Sequence, residues 1–322
     1  MMIKFKIAVI DTALNAESLP ENIKDKLEIK NYFEHDTKVM HSSMVINTLL
    51  KYTNAALIEK IYLYNIFTGE NKGSGVVAVS ALEDIIQKND VNFLLMSATL
   101  TNKERYEQTK KLCQRIYSSG ITIIAADTNR PTEDICYPFS FDCVFGISQG
   151  AFSEKPFFCI DDAGTKHISG DASPEFICCG ENNYCLFGGT SKAVPKFLAV
   201  LINAFAEEND TSCERIAEWI KDNALSEKDN TIRQIKETPF TPIYKKEVYD
   251  TLCSHISDYP TDLSKYGKLT PSFVLTQLDS NELYAFLVYI LKKFSINTRP
   301  DDMRYTDFSS AGSLCAYIGG RI

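Results

Sequence analysis

Gly188-Gly189-Thr190-Ser191-Lys192-Ala193-Val194-Pro195 places a serine behind two glycines, at the head of an apolar pattern running to about residue 208. The pattern has helical period, so Ser191 opens a helix. Pro195 falls in the first turn, where backbone donors have no helical partner, and does not break it. At such a helix start, the serine's own N–H and the positive end of the helix face any negative charge that develops on a reacting oxygen. A serine hydroxyl is a weak nucleophile until a neighbouring imidazole takes its proton. The imidazole in turn needs a carboxylate to fix its tautomer and stabilise its charged form. The stretch therefore directs attention upstream, to a histidine and an acid at the edges of regular elements.

Both are present. Asp11 follows an apolar run at once, in Val9-Ile10-Asp11-Thr12-Ala13, and His41 begins an apolar helix, in His41-Ser42-Ser43-Met44-Val45-Ile46. Around them, short apolar strands are expected at 6–10, 61–66, 91–96, 121–126 and 143–147. Helices are expected at 42–51, 76–88, 103–118, 191–208 and 213–223. Strands that are apolar throughout and separated by helices imply an α/β fold, a doubly wound parallel sheet covered on both faces. In such sheets the chemistry gathers at the carboxyl ends of the strands. Taken singly, each residue has an ordinary alternative: Asp11 or Ser191 as a helix cap, His41 as a histidine satisfied at a helix start.

The three motifs, in the order Asp, His, Ser, resemble those of the subtilases. Val9-Ile10-Asp11-Thr12 resembles the strand that ends in the catalytic aspartate. His41-Ser42-Ser43-Met44-Val45 resembles the histidine motif without its usual glycine and second histidine. Gly189-Thr190-Ser191 with Pro195 resembles the nucleophile motif. Met96-Ser97 resembles the substrate-binding strand, and Tyr137-Pro138 the loop after the oxyanion asparagine. The resemblance spans roughly residues 3–225 and implies a subtilisin-like fold with Asp11, His41 and Ser191 as catalytic triad. The family places an asparagine just after the strand expected at 121–126. Here Asp127-Thr128-Asn129 stands there, so Asn129 is the expected oxyanion donor with one residue inserted, since a carboxylate would repel the oxyanion. No propeptide is expected ahead of the first strand, an arrangement that resembles the minimal intracellular members. His35, His167 and His255 lack comparable context and are expected at the surface.

After a polar stretch at 226–231, with Pro239 and Pro242, the pattern becomes helix, loop, helix, loop, helix. The expected domains are 1–238 and 239–322. Val248, Leu252 and Ile256 fall on one helical face, and a strongly apolar helix covers 281–294. This three- or four-helix bundle resembles an acyl carrier protein. Leu278-Asp279-Ser280 is similar to the Asp-Ser that receives the phosphopantetheine arm, and Phe294 to the phenylalanine that ends the following helix. The resemblance implies 4'-phosphopantetheine on Ser280, whose helix N-terminus suits a phosphodiester. The alternative is a plain N-cap at Asp279-Ser280 with Glu282 in the first turn.

Composition limits the partners. The 322 residues carry a net charge of −8, which argues against nucleic-acid binding. No apolar run is long enough for a signal-peptide core or a membrane span, so the chain is expected to be cytoplasmic, with its ten cysteines as free thiols. No cluster of spaced ligands indicates a metal. The leading expectation is an intracellular serine endopeptidase acting on a peptide or protein, fused to a carrier-like domain that engages a phosphopantetheinyl transferase and biosynthetic enzymes, in the maturation of a peptide natural product. A second reading makes the triad an acyltransferase or thioesterase acting on a thioester carried by Ser280. A third keeps the fold as an inactive peptide-binding scaffold.

Overall fold

The computed structural model describes residues 2–33, 41–67, 73–101, 103–129, 136–150, 158–160, 167–180, 183–208, 210–224, 244–261, 263, 267 and 270–322. The chain opens with strand β1 (Phe5–Asp11), a one-turn helix α1 (Glu21–Lys24) and strand β2 (Leu27–Asn31). Helices and strands then alternate: α2 (His41–Tyr52), β3 (Ile58–Asn65), α3 (Gly75–Lys88), β4 (Phe93–Met96), α4 (Tyr106–Ser118) and β5 (Thr122–Ala126). Strands β6 (Phe145–Gly150), β7 (Phe158–Ile160) and β8 (His167–Asp171) follow, then β9 (Glu175–Gly180) and β10 (Asn183–Phe187), then helices α5 (Thr190–Ala204) and α6 (Cys213–Asn223).

Eight strands form one sheet in the order β2-β3-β1-β4-β5-β6-β8-β7. Every paired neighbour from β2 to β8 is parallel, and β7 runs antiparallel to β8 at the edge. The inner strands are apolar because both faces are covered. All residues of β4 and β5 are buried. Along β1, Ala8 and Ile10 join a cluster with Leu82 of α3 and Ile116 of α4. The alternate residues Ile7 and Val9, equally buried, point to the opposite face, as strand geometry requires. That second face is served by α5, which packs on β4, β5, β6 and β8 with α2 alongside. Parallel strands share an edge for their carboxyl ends, so Asp11, Ser97, Asp127 and Asp171 all fall along one edge of the sheet.

The five expected strands and five expected helices of this region are all present, shifted by up to a few residues. Strands β2, β7, β8, β9 and β10 were not expected. β2 lies at the sheet edge with four exposed residues, Glu28-Ile29-Lys30-Asn31, so it lacks the apolar run that marks the inner strands. The expectation of free thiols throughout is corrected at two positions: Cys179 and Cys185 are disulfide-bonded.

The contacts divide the chain into two compact units. One comprises Met1–Ser173, Cys179–Glu181 and Gly188–Gln234; the other comprises Pro174–Cys178, Asn182–Phe187 and Ile235–Ile322. The polar stretch 226–231, Pro239, Pro242 and the 238/239 boundary lie outside the described residues. The second unit contains α7 (Lys246–Ser257), α8 (Ser280–Lys293), α9 (Tyr305–Phe308) and α10 (Ala311–Gly319). Its core joins Val248 and Leu252 of α7, Leu283, Phe286, Leu287 and Ile290 of α8, and Leu314 and Ile318 of α10. Ile256 packs against that core, so the expected face of α7 is the buried one. Phe176 of β9 also belongs to this core, stacking on Phe308. A strand residue set among the helices makes the unit more than a helical bundle. No described helix is long and apolar enough to cross a membrane.

Candidate active site

Asp11 is the last residue of β1 and fully buried, and His41 is the first residue of α2. His41 Nδ1 lies 2.8 Å from Asp11 Oδ1 and 3.0 Å from Oδ2. The Thr12 N–H donates to Asp11 Oδ1 at 2.6 Å, leaving the carboxylate oriented by backbone as well as by imidazole. Two serines behind His41 fix the start of α2. The Ser42 N–H donates to Thr12 Oγ1 and the Ser42 hydroxyl to the Ala13 carbonyl, while the Asn15 N–H donates to Ser43 Oγ. Burial works against charge on the imidazole. The adjacent Asp11 carboxylate, by its charge and hydrogen bond, more than offsets this, so His41 titrates above its ordinary range.

Ser191 stands in the first turn of α5. Its hydroxyl donates to the Ser97 carbonyl at 3.4 Å, and Ser97 Oγ donates to the Ser191 carbonyl at 3.2 Å. Ser97 immediately follows β4, whose Met96 pairs with Ile10 of β1, the residue before Asp11. The contacts of Asp11 with His41 and of Ser191 with Ser97 are thus tied to the ends of neighbouring strands.

Asn129 is drawn to the same loop. Its Oδ1 accepts from the Thr190 N–H at 2.8 Å and the Thr190 hydroxyl at 3.0 Å, leaving Nδ2 as the donor end of the amide. Gly189 has φ +76°, and a Cβ there would come within 2.7 Å of Asn129 Oδ1, so both conformation and space call for glycine. Asp127 contributes backbone to this corner: its carbonyl accepts from Thr190 Oγ1 and its N–H donates to the Ile147 carbonyl. Its carboxyl accepts from the Thr128 N–H; burial pushes it up, opposed by that bond and by His167.

Sequence reasoning missed a charged cluster behind the nucleophile loop. Lys192 is 1 % exposed, and its Nζ donates to Asp171 Oδ2 at 3.1 Å and to the Ser173 carbonyl at 2.6 Å. Lys196, one turn later, also pairs with Asp171 Oδ2. Burial alone would raise Asp171, but the two ammonium groups hold it down at about 2. The signal in the sequence was a pair of lysines spaced i, i+4 in an otherwise apolar helix.

The other expected residues fall elsewhere. Ser280 is in the second unit, the first residue of α8, and its Oγ accepts from the Leu186 N–H at 3.2 Å. Asp279, not Ser280, caps that helix, accepting from Asn281 and Glu282. His167 and His255, expected at the surface, are half-buried, with their rings edge-on to Phe139 and Phe294. Each sits on a regular element beside an aromatic side chain that no local pattern announces. His35 lies outside the described residues.

No family model matches the chain, and no curated protein does. Solved structures do. The prenylagaramide maturation protease PagA aligns with a TM-score of 0.51 at 15 % identity, over 66 % of this chain and 81 % of that one. A lanthipeptide protease aligns with a TM-score of 0.52 at 13 % identity, over 69 % and 80 %. A cold-adapted subtilisin-like serine proteinase aligns with a TM-score of 0.53 at 16 % identity, over 67 % and 80 %. At such identities the likeness speaks for the fold, and the larger part of this chain has the subtilisin-like α/β fold, with seven parallel strands in its sheet.

Proposed function

We propose that the chain is a serine endopeptidase in which Asp11, His41 and Ser191 form the catalytic triad. The observation that carries this reading is the buried Asp11 carboxylate on His41 Nδ1, at the same sheet edge as a serine in the first turn of a helix. In the reaction, Ser191 Oγ attacks the scissile carbonyl while His41 takes its proton. The tetrahedral oxyanion is met by the Ser191 N–H and by Asn129 Nδ2, which Thr190 holds in place through the other end of the amide. His41 then gives the proton to the leaving amine, and water, deprotonated by His41, releases the acyl group from Ser191. Asp11 holds the tautomer and stabilises the imidazolium.

The substrate class in this reading is a peptide precursor of a natural product, by analogy with the names of two of the structural neighbours, the prenylagaramide maturation protease and the lanthipeptide protease. Incubation with such precursors, followed by mass spectrometry of the products, tests it: cleavage by the wild type and none by Ser191→Ala supports the reading, and equal cleavage by both overturns it.

Ser280 remains the proposed attachment point of a phosphopantetheine arm, which when bound would supply a thiol for a thioester. Its oxygen accepts from Leu186, so its own proton is available, and the start of the 14-residue α8 favours an anion there.

A further inference from the structure

The buried cluster of Asp171, Lys192 and Lys196 is costly where it stands. Lysine is among the residues least often fully buried, and a cation in the first turns of a helix opposes the helix dipole. Buried ion pairs are commonly matched or bettered in stability by apolar side chains of the same volume. Stability alone therefore gives no reason for two lysines here, and the geometry supplies another.

Asp171 ends β8, where it pairs with Gly150 of β6, so it is anchored in the sheet. Its Oδ1 accepts from the Ser173 N–H at 3.0 Å and also from the Ser173 hydroxyl. That turn presents two carbonyls to the nucleophile loop. The Ala172 carbonyl accepts from the Gly189 N–H at 2.9 Å, and the Ser173 carbonyl accepts from Lys192 Nζ at 2.6 Å. Asp171 Oδ2 takes Lys192 and Lys196 together. Segment 171–173 thus grips the chain on both sides of Ser191, at 189 and at 192, and again one turn along at 196. Lys196 is steadied further by the ring of Tyr52 on α2, 4.4 Å from its Nζ.

We infer that Asp171, acting through Lys192 and Lys196, is a positioning residue for Ser191: it locks the first turn of α5 to the rigid end of β8 and so fixes where the nucleophile points. The inference rests on the peptidase reading for its catalytic consequence, and on geometry alone for the lock. Misplacement of a reacting group by about 1 Å can cost roughly a hundredfold in rate, so a loosened turn is felt in chemistry before it is felt in folding.

Lys192→Met is the informative variant, because it conserves volume and leaves the Lys196–Asp171 pair intact. A triple variant, Asp171→Asn with Lys192→Met and Lys196→Met, removes all the charges and guards against a misfolded single variant. Two readouts are taken on the full chain: amide hydrogen exchange over residues 188–194, and the inactivation kinetics of a fluorophosphonate. The lock predicts exchange at least about tenfold faster in that segment, with the melting transition retained. It also predicts an inactivation rate constant kinact lowered about tenfold or more, with KI unchanged. Unchanged exchange in both folded variants overturns the lock. Faster exchange with wild-type kinact overturns its role in positioning. Faster exchange in a protein whose wild type is never labelled upholds the lock and overturns the peptidase reading, so the two failures are told apart.

Discussion

Ser191 and Ser97 exchange hydrogen bonds: each hydroxyl donates to the other residue's carbonyl, at 3.4 Å from Ser191 and 3.2 Å from Ser97. At 3.4 Å the contact from Ser191 is longer than the roughly 2.5–3.0 Å usual for O–H···O, so it is weak and little is lost when the hydroxyl turns toward an imidazole. The bond from Ser97 ties the nucleophile's backbone to the end of β4. Ser191 is therefore held firmly by its main chain and only weakly at its side chain, the division of labour a nucleophile needs.

Asp11→Asn is expected to lower kcat/KM by about three to four orders of magnitude, because the amide no longer favours the tautomer that leaves Nε2 able to accept a proton. The pH profile gives a second readout. His41 acts as base only when neutral, and beside Asp11 its pKa lies above the ordinary 6.5, so the acid limb of the wild-type profile falls above that value. Without the Asp11 charge the limb moves to lower pH. The same shift has a stability consequence: the contribution of charged His41 is fully present below its unfolded pKa and is lost as pH rises through the folded one.

Asn129→Ala is expected to reduce kcat about a hundredfold or more with little change in KM, the signature of a donor used mainly in the transition state. Gly189→Ala acts on the same corner from the other side, since the new Cβ meets Asn129 Oδ1 in a backbone conformation that disfavours side chains. Steady-state kinetics and thermal unfolding follow the two variants: both lose stability as well as rate, the first because the buried Thr190 N–H loses its Oδ1 acceptor, the second through backbone strain and the clash.

Much of this site was legible in the sequence, and the reason is local. Asp11, His41 and Ser191 each stand where an apolar run begins or ends, so pattern alone locates them at element edges. Asp171 was not legible. Its strand reads His167-Ile168-Ser169-Gly170-Asp171, with one large apolar residue, and α5 lies close over Gly170, where a Cβ would lie 3.1 Å from Ala193 Cβ. Lys192 and Lys196 look like solvated positions until the partner 21 and 25 residues upstream is placed beside them. The strands that carry Cys179 and Cys185 were missed because they are short and mix polar with apolar residues.

Acid titration tests the Asp171 cluster independently of catalysis. With a folded pKa of about 2 against an ordinary 3.8, Asp171 contributes stability that is present above pH 3.8 and lost as pH falls toward 2. Unfolding followed by circular dichroism should show that loss in the wild type, and a flatter acid limb in the triple variant that lacks the cluster. Asp171→Asn alone leaves two buried ammonium groups facing a neutral amide and is expected to cost about 3–5 kcal/mol at neutral pH.

Ser280 is tested by intact mass after incubation with coenzyme A and a broad-specificity phosphopantetheinyl transferase. The account expects a gain of one phosphopantetheine in the wild type and none in Ser280→Ala. No gain with several transferases would leave α8 and the Leu186 contact as purely structural.

The most direct test of the central claim is the site of covalent labelling by a fluorophosphonate, read by intact mass and peptide mapping. The account predicts one adduct per chain, located on Ser191, slowed in Asp11→Asn and absent in folded Ser191→Ala. An unlabelled wild type, or an adduct that persists when Ser191 is alanine, would contradict it.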